Sequence, residues 1–193
     1  MTPDLPDPIR VALLVIDALD AMHIAYHIGG SYANSVHGTR RQKQDIDLVV
    51  ELDAEQAAAL VSALSKEFYG SEISAREAVA ATGSFDLIHL DSAIKIVIFV
   101  RGSAPLDLEE FRDRKSMIVM QNPERRVFVK PAEDTLLRKL RRYRLGGAIS
   151  DRQWSDVTGI VRTQRERLDR EYLRRWSDAL GVDDLLARAM GGP

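Results

Sequence analysis

The sequence predicts a mixed α/β (α+β) fold: one mixed β-sheet with flanking helices, followed by a C-terminal region of helices alone. Three observations carry this. Short β-type runs alternate with helical patterns up to Lys130, and after Pro131 every periodic segment is helical. The composition, 45% apolar and 29% charged, is that of a globular chain able to bury a core. A length of 193 residues suits one compact domain with a helical extension, and the change of pattern divides it into an α/β core over 1–130 and a helical region over 131–193 packed on that core. The absence of cysteine excludes a disulfide framework, a thiolate metal site and a cysteine nucleophile. The apolar run from Val11 to Ala18 is interrupted by Asp17 and preceded only by Arg10, so it does not read as a secretory segment. No stretch approaches the length of a membrane span, so no membrane partner is expected and the protein reads as cytoplasmic.

Pro8 suits the first turn of a helix that runs to Met22, with Val11, Leu14, Ile16, Leu19 and Met22 as its apolar positions. A short strand at Ala25 to Ile28 ends at Gly29-Gly30-Ser31, and the small residues from Tyr32 to Gly38 read as a short helix or turn. Asp45 to Leu52 is a strand; Asp53 to Phe68, rich in alanine and leucine, is a helix that Asp53 is placed to cap. Ser84 to Leu90 and Ile94 to Val100 form an antiparallel hairpin around Asp91-Ser92-Ala93. Met117 to Met120 and Arg126 to Lys130 form another around Asn122-Pro123-Glu124. Ala132 to Leu145 is a helix stopped by Gly146-Gly147, and Ser150 with Gln153 is a capping-box signature for a helix running toward Leu168. Asp169 to Leu180 and Asp183 to Met190 complete the helical region, with Tyr143, Trp154 and Trp176 as packing anchors.

The charge is unevenly distributed. From Glu124 to Trp176 there are 15 Lys and Arg against 8 Asp and Glu, leaving 12 against 21 elsewhere in the chain. Such a basic stretch suits phosphates, nucleic acid or an acidic partner, or equally a set of solvated helix faces.

The segment that carries chemistry is His27-Ile28-Gly29-Gly30-Ser31, followed by Asp45-Ile46-Asp47-Leu48-Val49-Val50. Positions two apart on a strand share a face, so Asp45 and Asp47 project together, roughly 7 Å apart, while Ile46, Leu48 and Val50 face an apolar layer. Two like charges beside a core call for a compensating cation. Oxygen ligands of this kind suit Mg²⁺ or Mn²⁺, which also holds substrate phosphates. The glycines let the backbone approach a ligand closely, the N–H groups of a Gly-Ser turn opening a helix are phosphate donors, and Ser31 adds a hydroxyl. Alternatively, the two aspartates are simply the polar face of an exposed edge strand. His27 on its strand suits a packed, hydrogen-bonded role, and Arg40, Arg41 and Lys43 between the two motifs read as solvated.

With Gly29-Gly30-Ser31 ahead of Asp45-Ile46-Asp47, the chain resembles the nucleotidyltransferase superfamily built on the polymerase-β-like palm. Glu133 to Leu140, Tyr143, Gly146-Gly147 and Asp151 to Val157 further resemble the bacterial branch of AbiEii-type toxin nucleotidyltransferases, and the resemblance covers roughly Tyr26 to Leu186. It implies a nucleotidyltransferase-like sheet on which Gly29, Gly30 and Ser31 hold phosphates and Asp45 and Asp47 hold metal. A helical lysine that contacts phosphates and an aspartate that supports it carry over to Lys139 and Asp156, although Asp156 also sits four residues from Arg152 as an ion-pair partner. Arg142, three residues beyond Lys139, is placed to help clamp the phosphate tail. The implied partners are a nucleoside triphosphate and an acceptor that is RNA or tRNA, a protein or a small molecule. A toxin-antitoxin or phage-defence setting follows from the branch.

One position departs from the pattern. The superfamily supplies a third carboxylate from a later strand, and this chain reads Lys95-Ile96-Val97-Ile98-Phe99, with Val97 where the acid belongs. A turn at residues 91–93 pairs Asp86 with Ile98, which faces Asp86 away from Val97. Loss of that carboxylate impairs in-line displacement while leaving phosphate binding possible, so a catalytically impaired nucleotide sensor or interaction partner is the alternative function.

Overall fold

The structure is a computed structural model that describes residues 8–37 and 45–191, without the side chains of residues 31, 34 and 35. Ser31 as a hydroxyl donor and the loop residues Arg40, Arg41 and Lys43 therefore lie outside what is described. The chain divides into two compact units: one comprises residues 1–30 and 42–129, the other residues 31–41 and 130–193.

The first unit is built on a seven-stranded mixed sheet. In chain order it contains α1 (Pro8–Ala21), β1 (Tyr26–Ile28), β2 (Ile46–Val50), α3 (Ala54–Ala63), β3 (Phe68–Tyr69), α4 (Glu72–Ala81), β4 (Ser84–His89), β5 (Lys95–Val100), α5 (Pro105–Arg112), β6 (Lys115–Gln121) and β7 (Glu124–Val129). The strand order is β3-β4-β5-β2-β1-β7-β6. β1 runs antiparallel to β2, and β2 runs parallel to β5. One face of the sheet is apolar and buried: Tyr26 and Ile28, Ile46, Leu48 and Val50, Ile96 and Ile98, Phe85 and Leu87, and Val127 and Val129. α1, whose stripe of Ile9, Val11, Ala12, Leu13, Val15, Ile16 and Leu19 is buried, contacts β2 and α3. α3 is stopped from unravelling by a complete capping box, in which Asp53 Oδ1 accepts from the Gln56 N–H (2.8 Å) and Gln56 Oε1 accepts from the Asp53 N–H (2.9 Å).

The sequence reading leaves α4 and α5 unassigned and carries the α3 helix on to Phe68, whereas the helix ends at Ala63 and Phe68 begins the two-residue β3. α4 carries little apolar signal, with Ala75 and Ala78 as its only buried residues. α5 begins at Pro105 and buries Leu106, Glu110 and Phe111, a pattern in which one buried position is charged.

The second unit contains α2 (Gly30–His37), which starts on the last residue of the first unit, α6 (Ala132–Leu145), α7 (Asp151–Gln164), α8 (Arg170–Ala179) and α9 (Asp183–Ala189). Leu136, Leu137, Leu140 and Tyr143, at three- and four-residue spacing on α6, pack with Val157, Ile160 and Val161 of α7 and with Leu173, Val182 and Leu185. Tyr143 stacks on Trp154 at 5.3 Å, and both tryptophans pack against this core. The cap of α7 is half of the expected box: Ser150 Oγ accepts from the Gln153 N–H at 3.3 Å, whereas the buried Gln153 Oε1 has no hydrogen bond among the described residues. Among the described residues, no helix is long and apolar enough to cross a membrane.

α2 is held within this unit by its last residue. The buried His37 ring places Nε2 2.7 Å from the Lys130 carbonyl, and the His37 carbonyl accepts from Gln164 Nε2 at 3.3 Å. Burial pushes the His37 pKa below its ordinary 6.5, against the opposing pull of the Lys130 carbonyl and Glu133. The unfolded chain takes up a proton near that ordinary value and the folded chain resists it, so this contribution to stability is complete above about pH 6.5 and is lost as the pH falls below it. Unfolding midpoints measured from pH 7.5 to 5 should therefore drop for the wild type, and His37→Gln should flatten that drop. An unchanged slope in the variant would remove His37 as its source.

Candidate active site

The site is organised around the end of β1. There the Gly29 N–H donates to the Asp47 carbonyl at 2.8 Å, tying the Gly-Gly turn to the start of β2. Gly30 has φ +53°, in the left-handed region, and a Cβ built on it would lie 1.6 Å from Asp47 Oδ2. The Asp47 carboxylate thus occupies the space a side chain at position 30 would need, and only glycine meets both the conformation and the approach. Asp45 immediately precedes β2 and Asp47 is its second residue; both are half-buried, while Ile46, Leu48 and Val50 are buried on the opposite face. The alternation that singles out the two aspartates is therefore realised in the structure.

The expected register of the β4–β5 hairpin is corrected. Asp86 pairs with Val97, not with Ile98, and Phe85 takes the place opposite Ile98. The apolar pattern determines this: burying Phe85 and Leu87 with Ile96 and Ile98 requires the inward residues to be partners, which a three-residue turn at 91–93 does not allow. A longer connection resolves the mismatch, with Ala93 at φ +57° donating its N–H to the His89 carbonyl at 2.8 Å. Since Val97 also pairs with Asp47, the row Asp47-Val97-Asp86 runs across three strands on one face. The Cα atoms of Asp47 and Asp86 are about 10 Å apart by strand spacing. Asp86 is engaged by Lys95, with Nζ 3.4 Å from Oδ2. This carboxylate is the residue of the face that the sequence reading turned the wrong way, and the parity of the buried residues is the signal that locates it.

His27 is on the same face of β1, paired with Val49, and is fully buried. Its Nε2 is 3.3 Å from Glu110 Oε1, and its ring centroid lies 5.5 Å from that of Phe111, so α5 covers the face here. The packed role expected for His27 is the one observed, and its buried acidic neighbour is not apparent from the sequence.

In the helical unit, Lys139 Nζ donates to Asp156 Oδ2 at 2.9 Å, joining α6 to α7. Asp156 is thus the partner of Lys139, and the expected pair with Arg152, which is exposed on the first turn of α7, does not form. The two helices face each other through Leu137, Leu140 and Val157, which places position 139 opposite 156 and leaves 152 toward solvent. Arg142 is exposed on the last turn of α6. The same helix buries Asp134, which accepts from the Tyr172 hydroxyl at 2.7 Å.

Asp45 and Asp47 offer the hard oxygen donors that Mg²⁺ or Mn²⁺ takes, and the cradle at Gly30 leaves backbone rather than side chain beside them. Among the described residues, no group of three His, Cys, Asp or Glu side chains forms a metal site. A cation held here by the two aspartates would complete its shell with phosphate oxygens and water, as Mg²⁺ commonly does.

The sheet and its flanking helices define a nucleotidyltransferase fold. A family model for aminoglycoside-2''-adenylyltransferases matches residues 11–99, the stretch that contains the Gly-Gly turn, both aspartates and Val97. Among solved structures, the chain is similar to an antigenic nucleotidyltransferase-like protein from Paracoccidioides brasiliensis, with TM-score 0.58 and 18% identity over 95% of this chain and 91% of that one. It is also similar to the antibiotic-resistance factor ANT(2'')-Ia, with TM-score 0.59 and 15% identity over 95% and 97% of the two chains. The structure of ANT(2'')-Ia in complex with adenylyl-2''-tobramycin gives TM-score 0.54 and 16% identity over 89% and 97%. No curated protein sequence matches the chain. These likenesses bear out the fold that the motifs suggest, while the AbiEii-type branch rests on the motifs alone.

The Gly30 contact makes a direct prediction. Gly30→Ala should destabilise the chain by about 1–2 kcal/mol from the left-handed backbone alone, and further by displacing Asp47. In an Asp47→Ala background the same substitution should cost at least about 0.5 kcal/mol less, measured by denaturant unfolding of the double-mutant cycle. Equal costs in the two backgrounds would mean that the carboxylate does not rest on the glycine.

Proposed function

We propose that this protein binds a nucleoside triphosphate with a divalent cation at Asp45 and Asp47 and transfers the nucleoside monophosphate to a hydroxyl of a small-molecule acceptor. The observation that carries the reading is the Asp47 carboxylate packed over the Cβ-less Gly30, which brings an acidic side chain and a phosphate-binding type of backbone turn together. The match of residues 11–99 to an adenylyltransferase family supports adenosine as the nucleoside and a small polyhydroxylated molecule as the acceptor, ahead of RNA or protein. In such a transfer, the acceptor oxygen forms a bond to the α-phosphorus as the bond to the β-phosphate oxygen breaks. Pyrophosphate leaves with the bonding electrons, and the hydroxyl proton passes to a carboxylate or to water.

The chain's own contributions would be positional and electrostatic. Gly29 and Gly30 present backbone to the phosphates, and Asp45 and Asp47 hold the cation, which supplies charge neutralisation at the phosphate oxygens. The phosphate roles of Lys139 and Arg142, with Asp156 fixing Lys139, rest on the family resemblance and form a separate arm of the proposal. They imply that Lys139→Met weakens triphosphate binding.

Val97 favours a second reading. On this face the position between Asp47 and Asp86 is apolar, and Asp86 is already paired with Lys95, so a base toward the acceptor hydroxyl is not ready-made. A chain that binds nucleotide without transferring it, as a sensor or as a partner in a toxin-antitoxin or defence system, accords with this.

Thermal unfolding with each NTP, with and without Mg²⁺ or Mn²⁺, tests the binding step. A ligand at a hundredfold its Kd should stabilise the native state by about 2.7 kcal/mol, and the rise should require metal and vanish in Asp45→Ala/Asp47→Ala. No rise with any nucleotide would overturn both readings. Transfer assayed on wild type and Val97→Asp separates them: turnover in the wild type supports the enzyme, whereas turnover that appears only in the variant supports the impaired form.

A further inference from the structure

The end of the central strands opposite the two aspartates carries a second cluster of chemistry. Parallel strands β2 and β5 leave the sheet at Glu51 and Arg101, and Ala25 leads into the antiparallel β1, so these residues meet at one end of the central strands. Asp47 lies four residues back along β2, about 13 Å away. Leu108, Phe111 and Arg112 of α5, with Arg114 just beyond it, join them around a pocket of about 290 Å³.

The lining is cationic, with three guanidinium groups against the single carboxylate of Glu51. Arg101 donates through Nη2 to Glu51 and through Nη1 to the Gly102 carbonyl at 2.9 Å. Arg114 donates through Nη1 to the Phe111 carbonyl at 2.7 Å. The Phe111 ring lies 5.6 Å from the Arg101 guanidinium carbon and 5.0 Å from that of Arg114, holding both groups at the pocket. Arg112 makes a two-pronged contact with Asp113, at 2.8 and 3.1 Å, and remains largely exposed. What these contacts leave over is specific. The Nε atoms of Arg101 and Arg114 are both buried, and neither has an acceptor among the described residues.

These two Nε–H groups are sealed from solvent, so an anion in the pocket meets the outer guanidinium nitrogens, and the planar guanidinium matches the paired oxygens of a carboxylate or phosphate. The pocket is at the small end of the range for organic ligands, about 300–1,000 Å³, and Leu108, 47% exposed, adds an apolar surface beside the arginines. We infer that this pocket binds a small organic oxyanion, its carboxylate or phosphate on Arg101 and Arg114 and its apolar body against Leu108, at a site separate from Asp45 and Asp47.

The test follows the Arg Nε–Hε signals of the full-length protein by NMR, without metal, during separate titrations with inorganic phosphate and with benzoate. Saturable shifts at Arg101 and Arg114 are expected with at least one probe. Arg114→Gln should weaken that binding about tenfold or more, as loss of a charged hydrogen bond does, and the exposed Arg112→Gln should weaken it less. Asp45→Ala/Asp47→Ala should leave it unchanged, which keeps this site distinguishable from the nucleotide site. A response to benzoate alone identifies a carboxylate ligand, and a response to phosphate alone identifies a phosphate. No saturation by about 10 mM of either probe would overturn the inference. So would affinities unaffected by both arginine substitutions, or binding lost in the aspartate variant.

Discussion

The carboxylate of Asp47 rests where a side chain on Gly30 would begin, and the geometry of the candidate site follows from that contact. Two demands meet at the glycine. The chain must reverse from β1 into α2 through a left-handed conformation, and it must do so against the start of β2. The hydrogen bond from the Gly29 N–H to the Asp47 carbonyl fixes the same strand from its backbone side. Backbone and side chain of Asp47 are thereby held by adjacent residues, so the acidic group arrives with its position set before any ligand is present.

Much of this was legible in the sequence because it depends on local pattern. The glycine pair, the alternation of Asp45 and Asp47 with Ile46 and Leu48, and the switch to purely helical periodicity after Pro131 are all short-range signals. What was missed depends on pairing across the fold. A three-residue turn puts Asp86 on the wrong side, whereas the shared burial of Phe85 and Leu87 with Ile96 and Ile98 sets the register. Local spacing offers Asp156 a partner one turn away in Arg152, yet it is Lys139 on another helix, the residue that the family resemblance sets beside it, that reaches it. α5 was invisible because its inward face includes Glu110, which is paired with a histidine distant in sequence. Buried charge interrupts the apolar periodicity on which helix recognition depends.

The polar face of the sheet also shows how a fold and an activity are specified by different residues. Val97 completes a strand whose neighbours Ile96 and Ile98 are fully buried, and its β-branched side chain suits that strand. Nothing in the packing of β5 requires a carboxylate at position 97. The architecture is therefore indifferent to a change that would alter the chemistry of the row from Asp47 to Asp86.

The division of the chain bears on how the turn is kept in order. The chain passes from one unit to the other between Gly30 and Ser31, returns between residues 41 and 42, and crosses again after Val129. α2 begins at Gly30, and its last residue is fastened by the Lys130 carbonyl and by Gln164. A polypeptide ending at Val129 would keep both aspartates and all seven strands but would lose both anchors of the helix that opens at the glycine. The glycine on which the Asp47 carboxylate rests is also the first residue of that helix, so such a truncation would remove what fastens the far end of the segment that begins at the turn.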